Sequence, residues 1–124
     1  MIPFMNITKA LADENRIRIL LALDHHGETC VCHLIDLLQL APSTVSKHLF
    51  LLKNARLIIA RKEGRWVYYR LSGIHDAPQT VVDALRWVTR SVADDPAIEA
   101  DRRRLDRIPA LSAADGCTAQ AGTP

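Results

Sequence analysis

The apolar residues of this chain follow two different periods, and the place where one replaces the other limits the fold more than any other feature. Up to Ala55 they recur at helical spacing, and from Leu57 to Leu71 they alternate. Phe4, Ile7 and Leu11 predict a short helix over residues 4–12. Asp13 predicts the N-cap of a second helix over 14–24, faced by Ile17, Leu20 and Leu21, widened by Ile19 and Leu23, and broken at His25-His26-Gly27. Thr29 can cap a third helix, in which Val31, Leu34, Ile35 and Leu38 fall on one stripe. Gln39-Leu40-Ala41 is a tight connection to a fourth helix that opens on Pro42 and runs to about Ala55, burying Val45, Leu49 and Leu52.

Leu57 to Glu63 and Arg65 to Leu71 are rich in Ile, Val, Tyr and Trp and are divided at Glu63-Gly64, which predicts a β-hairpin with basic residues at its tip. Residues 79–93 predict a further amphipathic helix, and 96–108 a short helix of mixed charge. The Ala-, Gly-, Ser-, Thr- and Pro-rich stretch 109–124 is expected to be a disordered tail, leaving 1–108 as the domain. Helix, helix, tight turn, helix and basic hairpin together spell a winged helix-turn-helix, mostly α with a β-hairpin wing. Apolar runs such as Ile19 to Leu23 are far too short to span a bilayer, and no signal peptide opens the chain. A cytoplasmic protein with no membrane partner is the expectation. A chain of 124 residues buries a modest share of its surface, so dimerisation would supplement its core.

The net charge of +2 suggests no partner, but its distribution does. Ser43 to Arg70 holds seven basic residues (Lys47, Lys53, Arg56, Arg61, Lys62, Arg65, Arg70) against Glu63 alone, a segment of +6 in a chain whose remainder carries −4. Such a segment is either a solvated charged face or the electrostatic footprint of a nucleic-acid site. Opposite the Val45/Leu49/Leu52 stripe, the fourth helix shows Ser43, Thr44, Ser46 and Lys47, with His48 at the edge. Small hydroxyls let a helix sit deep in a major groove, and a lysine adds phosphate attraction. Arg61, Lys62 and Arg65 on the hairpin can reach flanking phosphates or a minor groove. Helix and hairpin converging on one surface favour double-stranded DNA.

Cys30, Cys32 and Cys117 are too few, and odd in number, for a disulfide framework. Two of them one residue apart turn the question toward metal or redox chemistry. His25, His26 and His33 lie close in sequence and are either ordinary surface histidines or helpers in binding zinc. No nucleophile with a base and orienter, no phosphate-binding glycine loop and no complete metal-hydrolase motif is present, so no enzymatic activity is expected.

ALADENRIRILLAL, ETCVCHL, STVSKHLFLLKNARLI and RKEGRWVYYRL together resemble the ArsR/SmtB family of metal-responsive bacterial repressors, over about Ile7 to Ser72. The resemblance implies a homodimeric winged-helix repressor that sits on an operator and lets go when a metal or metalloid binds. Its first helix and the helix over 79–93 would build the dimer, although the stripe Val81, Val82, Leu85, Val88 and Val92, with Trp87 beside it, also suits plain core packing. ETCVCHL is similar to the family's arsenite site, which makes Cys30 and Cys32 the ligands of As(III), with Sb(III) a second inducer. Residues 79–93 lack the histidines of the family's zinc site, and residues 1–29 lack the cysteines of its cadmium and lead cage. A third cysteine often found in the arsenite type is Ile35 here, so Cys117, water or a small thiol must complete the site; Cys117 can equally be a free thiol on the tail. Arg56 stands where the family usually has glycine, with Asn54 as a substitute left-handed cap. A repressor that senses oxidants, persulfides or another thiophilic metal through the same cysteines is the alternative.

If Thr29 caps the third helix, Cys30 and Cys32 share its first turn, where the helix dipole favours thiolate. Side chains two apart on a helix point about 200° from each other and cannot close on one ion. Binding would then unwind the helix start and distort the recognition helix it supports.

Overall fold

The structure is a computed structural model that describes residues 1–108. The elements in chain order are α1 (Ile2–Ala10), α2 (Glu14–His26), β1 (Thr29–Cys30), α3 (Val31–Leu38), α4 (Pro42–Asn54), β2 (Ile58–Glu63), β3 (Trp66–Leu71), α5 (Gln79–Ser91) and α6 (Pro96–Leu105). The three strands form one antiparallel sheet in the order β1-β3-β2. This is the expected winged helix-turn-helix, with one addition. A third strand, only two residues long, joins the edge of the hairpin.

Helix α2 is the centre of the fold. Asp13 caps it by accepting from the Arg16 amide, as its position predicts. Its sequence reads as one-sided, yet Ile19 to Leu23 are all buried, because α3, α4, α5, α6 and β3 each pack on it. A helical turn apolar on every side is one surrounded by its own protein.

Helices α3 and α4 meet across Gln39-Leu40-Ala41, where Gln39 takes a left-handed φ of 55° and its amide closes on the Ile35 carbonyl. Val45, Leu49 and Leu52 are the buried stripe of α4, as predicted. The end of α4 departs from expectation. Asn54 stays helical, and Arg56 itself is left-handed at φ 64°. The Arg56 amide bonds the Lys53 carbonyl and the Leu57 amide bonds the Leu52 carbonyl, with Leu52 and Leu57 both fully buried. That is a Schellman closure with its apolar contact, and it holds an arginine in a conformation that suits glycine. The Arg56 guanidinium adds a bond to the Asp76 carbonyl. The hairpin turn is Gly64-Arg65 rather than Glu63-Gly64, because Glu63 pairs with Trp66. Gly64 supplies the positive φ, 62°, that a type II′ turn needs at its first central position.

Val81, Leu85 and Val88 of α5 are buried within the chain, and Val82 and Val92 are half-buried. The stripe offered as a dimer surface is therefore largely core. What α5 leaves outward is Trp87, 67% exposed, and α1 leaves Met1, Ile2, Phe4 and Met5. A cleft of about 580 Å³ opens between α1, the end of α4 and the start of α5.

Helix α6 is fastened by an ion pair whose carboxylate is buried. Arg18 of α2 donates Nε and an Nη to the two oxygens of Asp101 at 2.8 and 2.9 Å, and Asp101 is buried. Removing one member of such a pair strands the other charge. Asp101→Ala is expected to cost about 3 kcal/mol in urea unfolding. Glu99→Ala removes only exposed pairs at 3.8 and 3.9 Å to Arg102 and Arg103, and should stay within about 0.5 kcal/mol. Equal costs would show that α6 is not held by this pair.

Candidate functional site

The cysteine pair sits where β1 becomes α3. Thr29 pairs with Tyr69 and Cys30 with Tyr68, so the main chain of both is extended. Cys30, at φ −67° and ψ 143°, is the N-cap of α3, which starts one residue later at Val31. Thr29 is therefore not the cap. It is buried, gives its hydroxyl proton to the Gly27 carbonyl at 2.8 Å, and lies 3.0 Å from His26 Nδ1. With that single proton committed, Thr29 Oγ1 accepts from His26 Nδ1–H.

This one-residue shift overturns the expected geometry of the cysteines. An extended Cys30 followed by a helical Cys32 turns both sulfurs to one side, and they lie 3.1 Å apart. Bringing the two sulfurs together therefore requires no unwinding of α3. Both residues are sealed from solvent, Cys30 at 2% and Cys32 at 0% exposure. Burial pushes the Cys30 thiol above its usual pKa. The amides of Cys32 and His33 pull the other way, without a formed cap bond, and burial prevails. The expected thiolate-favouring environment is therefore not present at Cys30. Cys117 lies outside the described residues.

No group of three or more His, Cys, Asp or Glu is placed to hold a metal ion among the described residues. His25 is engaged with Asp106 at 2.7 Å and His26 with Thr29, while His33 is buried.

The second constellation is the outer face of α4 with the wing. Ser43, Thr44, Ser46 and Lys47 are all exposed. His48 is half-buried, its Nδ1 3.2 Å from an Arg16 Nη. Arginine only donates, so Nδ1 accepts and His48 is left with Nε2 as its donor. Arg16 also donates to the Ala10 and Lys9 carbonyls at the end of α1, which makes it the post on which the His48 ring is oriented. Lys62 and Arg65 are exposed near the hairpin tip with no ion pair among the described residues.

Arg61 differs from both. It lies two pairs back from the turn, opposite Tyr68, and its guanidinium sits 4.7 Å over the Tyr68 ring. Glu28 takes it from Nε and Nη2, at 2.7 Å for the shortest contact, and Glu63 takes Nη1 at 2.6 Å. Those two carboxylates hold its pKa above the arginine range, and the Arg61 guanidinium in turn lowers that of Glu28. One of the three predicted wing cations is thus neutralised by the segment that leads into the cysteines. Glu28 carried no signal in the sequence beyond being the acid nearest the motif.

Comparison with known proteins agrees with this architecture. The family profile described as bacterial regulatory protein, arsR family, matches residues 13–60. The arsenic resistance transcriptional regulator ArsR2 of Pseudomonas putida is 36% identical over 68% of this chain and 77% of its own. The chain belongs to the ArsR family. The arsenical resistance operon repressor of Escherichia coli is 46% identical over 55% of this chain. The match spans 58% of that relative's length. A solution structure from Mycobacterium bovis, described as a homodimeric winged helix-turn-helix DNA-binding domain, superposes with a TM-score of 0.58. It is 30% identical, over 76% of this chain and 81% of the other. In this ArsR-family chain the matched region includes the cysteine junction and the whole of α4.

The junction also predicts a pH dependence. Burial, followed by the nearby His26, lowers the His33 pKa below 6.5, and Asp36 opposes them. The unfolded chain then takes up this proton at a higher pH than the folded one, so stability falls as the pH drops below about 6.5. Urea midpoints at pH 7.5 and 5.5 should diverge more in the wild type than in His33→Gln. Equal divergence would mean that His33 titrates as freely folded as unfolded.

Proposed function

We propose that this ArsR-family chain is a transcriptional repressor that leaves its operator when As(III), or Sb(III), is bound by Cys30 and Cys32. The observation that carries the reading is the 3.1 Å approach of two sulfurs at the junction of the sheet and the helix-turn-helix. Thiolates are the preferred protein ligands of soft ions. A third donor comes from outside the described residues, with Cys117, water and a small thiol as the candidates. The names of the Pseudomonas putida and Escherichia coli relatives support arsenic as the inducer.

On this reading Ser43, Thr44, Ser46, Lys47 and His48 meet base edges and phosphates of double-stranded DNA in a major groove. No side chain caps α4, and Pro42 opens it, so the Ser43 amide is available to a phosphate as well. Lys62 and Arg65 hold flanking phosphates, and Arg61 serves as the tie between Glu28 and the wing. Two copies assemble through α1 and the outer side of α5, where Met1, Ile2, Phe4 and Trp87 are exposed. Such a dimer reads two half-sites. The protein acts in the cytoplasm.

The deciding experiment is fluorescence anisotropy on duplex DNA from upstream of the protein's own gene, with arsenite, zinc and peroxide added separately. Arsenite is expected to weaken binding about 5- to 150-fold, the usual range of an allosteric coupling. Cys30→Ser and Cys32→Ser should bind DNA as the wild type does and lose that response. Two chains per half-site pair is the expected stoichiometry. Release by zinc or peroxide in place of arsenite would refute the metalloid assignment and leave the DNA role intact.

The salt dependence of the same binding separates the wing cations. Arg65→Ala and Lys62→Ala should each lower the slope of log K against log salt by about 1, the loss of one phosphate contact. Arg61→Ala should leave the slope near the wild-type value. A drop as large as that of Arg65→Ala would make Arg61 a phosphate contact instead of a tie.

A further inference from the structure

The outward side of α4 holds more than hydroxyls and a lysine. Helical geometry puts Ser43, Lys47, Phe50 and Asn54 within about 40° of one line, directly opposite the buried Val45, Leu49 and Leu52. Phe50 lies at one edge of that line and is 67% exposed; Leu51 beside it is 43% exposed. Together with Ser46 and Lys47 they line one shallow depression. A phenylalanine left this open on a helix whose other face is fully buried is an apolar surface without a cover inside the chain.

Its surroundings identify the cover. The patch is continuous with Ser43, Ser46 and Lys47, and Lys53 flanks it, so whatever meets those residues meets Phe50. Lysines on this face favour a polyanion over an apolar protein surface. Within a major groove a phenyl ring has no donor or acceptor with which to read a polar base edge. The apolar group displayed there is the C5 methyl of thymine.

We propose that Phe50, bordered by Leu51, is a specificity-determining residue that reads thymine methyl groups in the major groove. This deepens the DNA-binding reading above and rests on it. It assigns the recognition helix a second mode of readout, beside hydrogen bonding from Ser43, Ser46 and Lys47. Thymine is expected in each half-site at the base pairs that meet the middle of α4, about two turns of helix beyond Ser43.

The test exchanges single thymines for deoxyuridine, which removes the methyl and leaves the hydrogen-bonding edge unchanged. The duplex is one selected from random sequence by the wild-type protein. In the wild type, one or two positions per half-site should lose about fourfold in affinity on exchange, the value of one buried methyl. In Phe50→Ala those same positions should lose nothing, with the salt slope unchanged because no charge is altered. Phe50→Leu, which keeps an apolar side chain, should retain part of the effect. Insensitivity of the wild type to every exchange, or an identical profile in Phe50→Ala, would overturn the proposal while DNA binding stands. Failure to select any duplex would overturn the DNA reading beneath it.

Discussion

Two residues of main chain, Thr29 and Cys30, hold the functional parts of this protein in one frame. Their pairing with Tyr69 and Tyr68 attaches the start of α3 to the wing, and α3 in turn leads to α4 through the left-handed Gln39. The same pairing keeps Cys30 extended. An extended residue followed by a helical turn is the geometry that brings Sγ of Cys30 to 3.1 Å from Sγ of Cys32. Had α3 begun one residue earlier, the sulfurs would point about 200° apart and share no ligand. The chemistry of the pair is thus a consequence of sheet formation.

Why the sequence concealed this follows from what periodicity measures. The stripes of α3 and α4, the hairpin and the cap at Asp13 rest on many residues each, or on one side chain with a local partner. They could be read without the fold. Strand β1 is two residues long and has no period, and its conformation is imposed by β3, nearly forty residues later. Arg56 shows the same limit at the end of α4. Local preference points to Asn54 for the left-handed position, but Leu57 must reach the core beside Leu52, and that fixes the turn at Arg56 whatever side chain stands there. The apolar stripe of α5 is real as well. Periodicity marks a face but not what covers it, and here the cover is α2.

Charge behaves similarly. The basic excess between Ser43 and Arg70 was legible, and Lys47, Lys62 and Arg65 remain exposed as expected. Arg61 was indistinguishable from them in sequence because one of its two carboxylate partners, Glu28, lies outside the segment. Phe50 escaped for the opposite reason. An apolar residue in a helix is normally assigned to the core, and only the register of Val45, Leu49 and Leu52 around α4 places it on the outer line. Polar residues do not own a binding face, and the groove of DNA has its own apolar group to meet.

On the proposed reading, the arrangement also limits how an ion at the cysteines would act on DNA. A ligand shifts an equilibrium only through a difference in its affinity for two states. The sulfurs are already together, so the difference cannot come from assembling them; it must come from room. Both cysteines are sealed, and an ion with a third donor has to enlarge the junction. The far end of α3 gives little, because Arg18 and Arg104 both donate to the Leu37 carbonyl, at 3.5 and 3.3 Å, and Arg18 is itself fixed by Asp101. Pinned there, α3 can yield mainly at its start, where it joins β1. Displacement at that point strains the Cys30–Tyr68 pairing and the Glu28–Arg61 contact on one side, and tilts α3 against α4 on the other. Wing and recognition helix would then lose their common register on the duplex together, with no element needing to unfold.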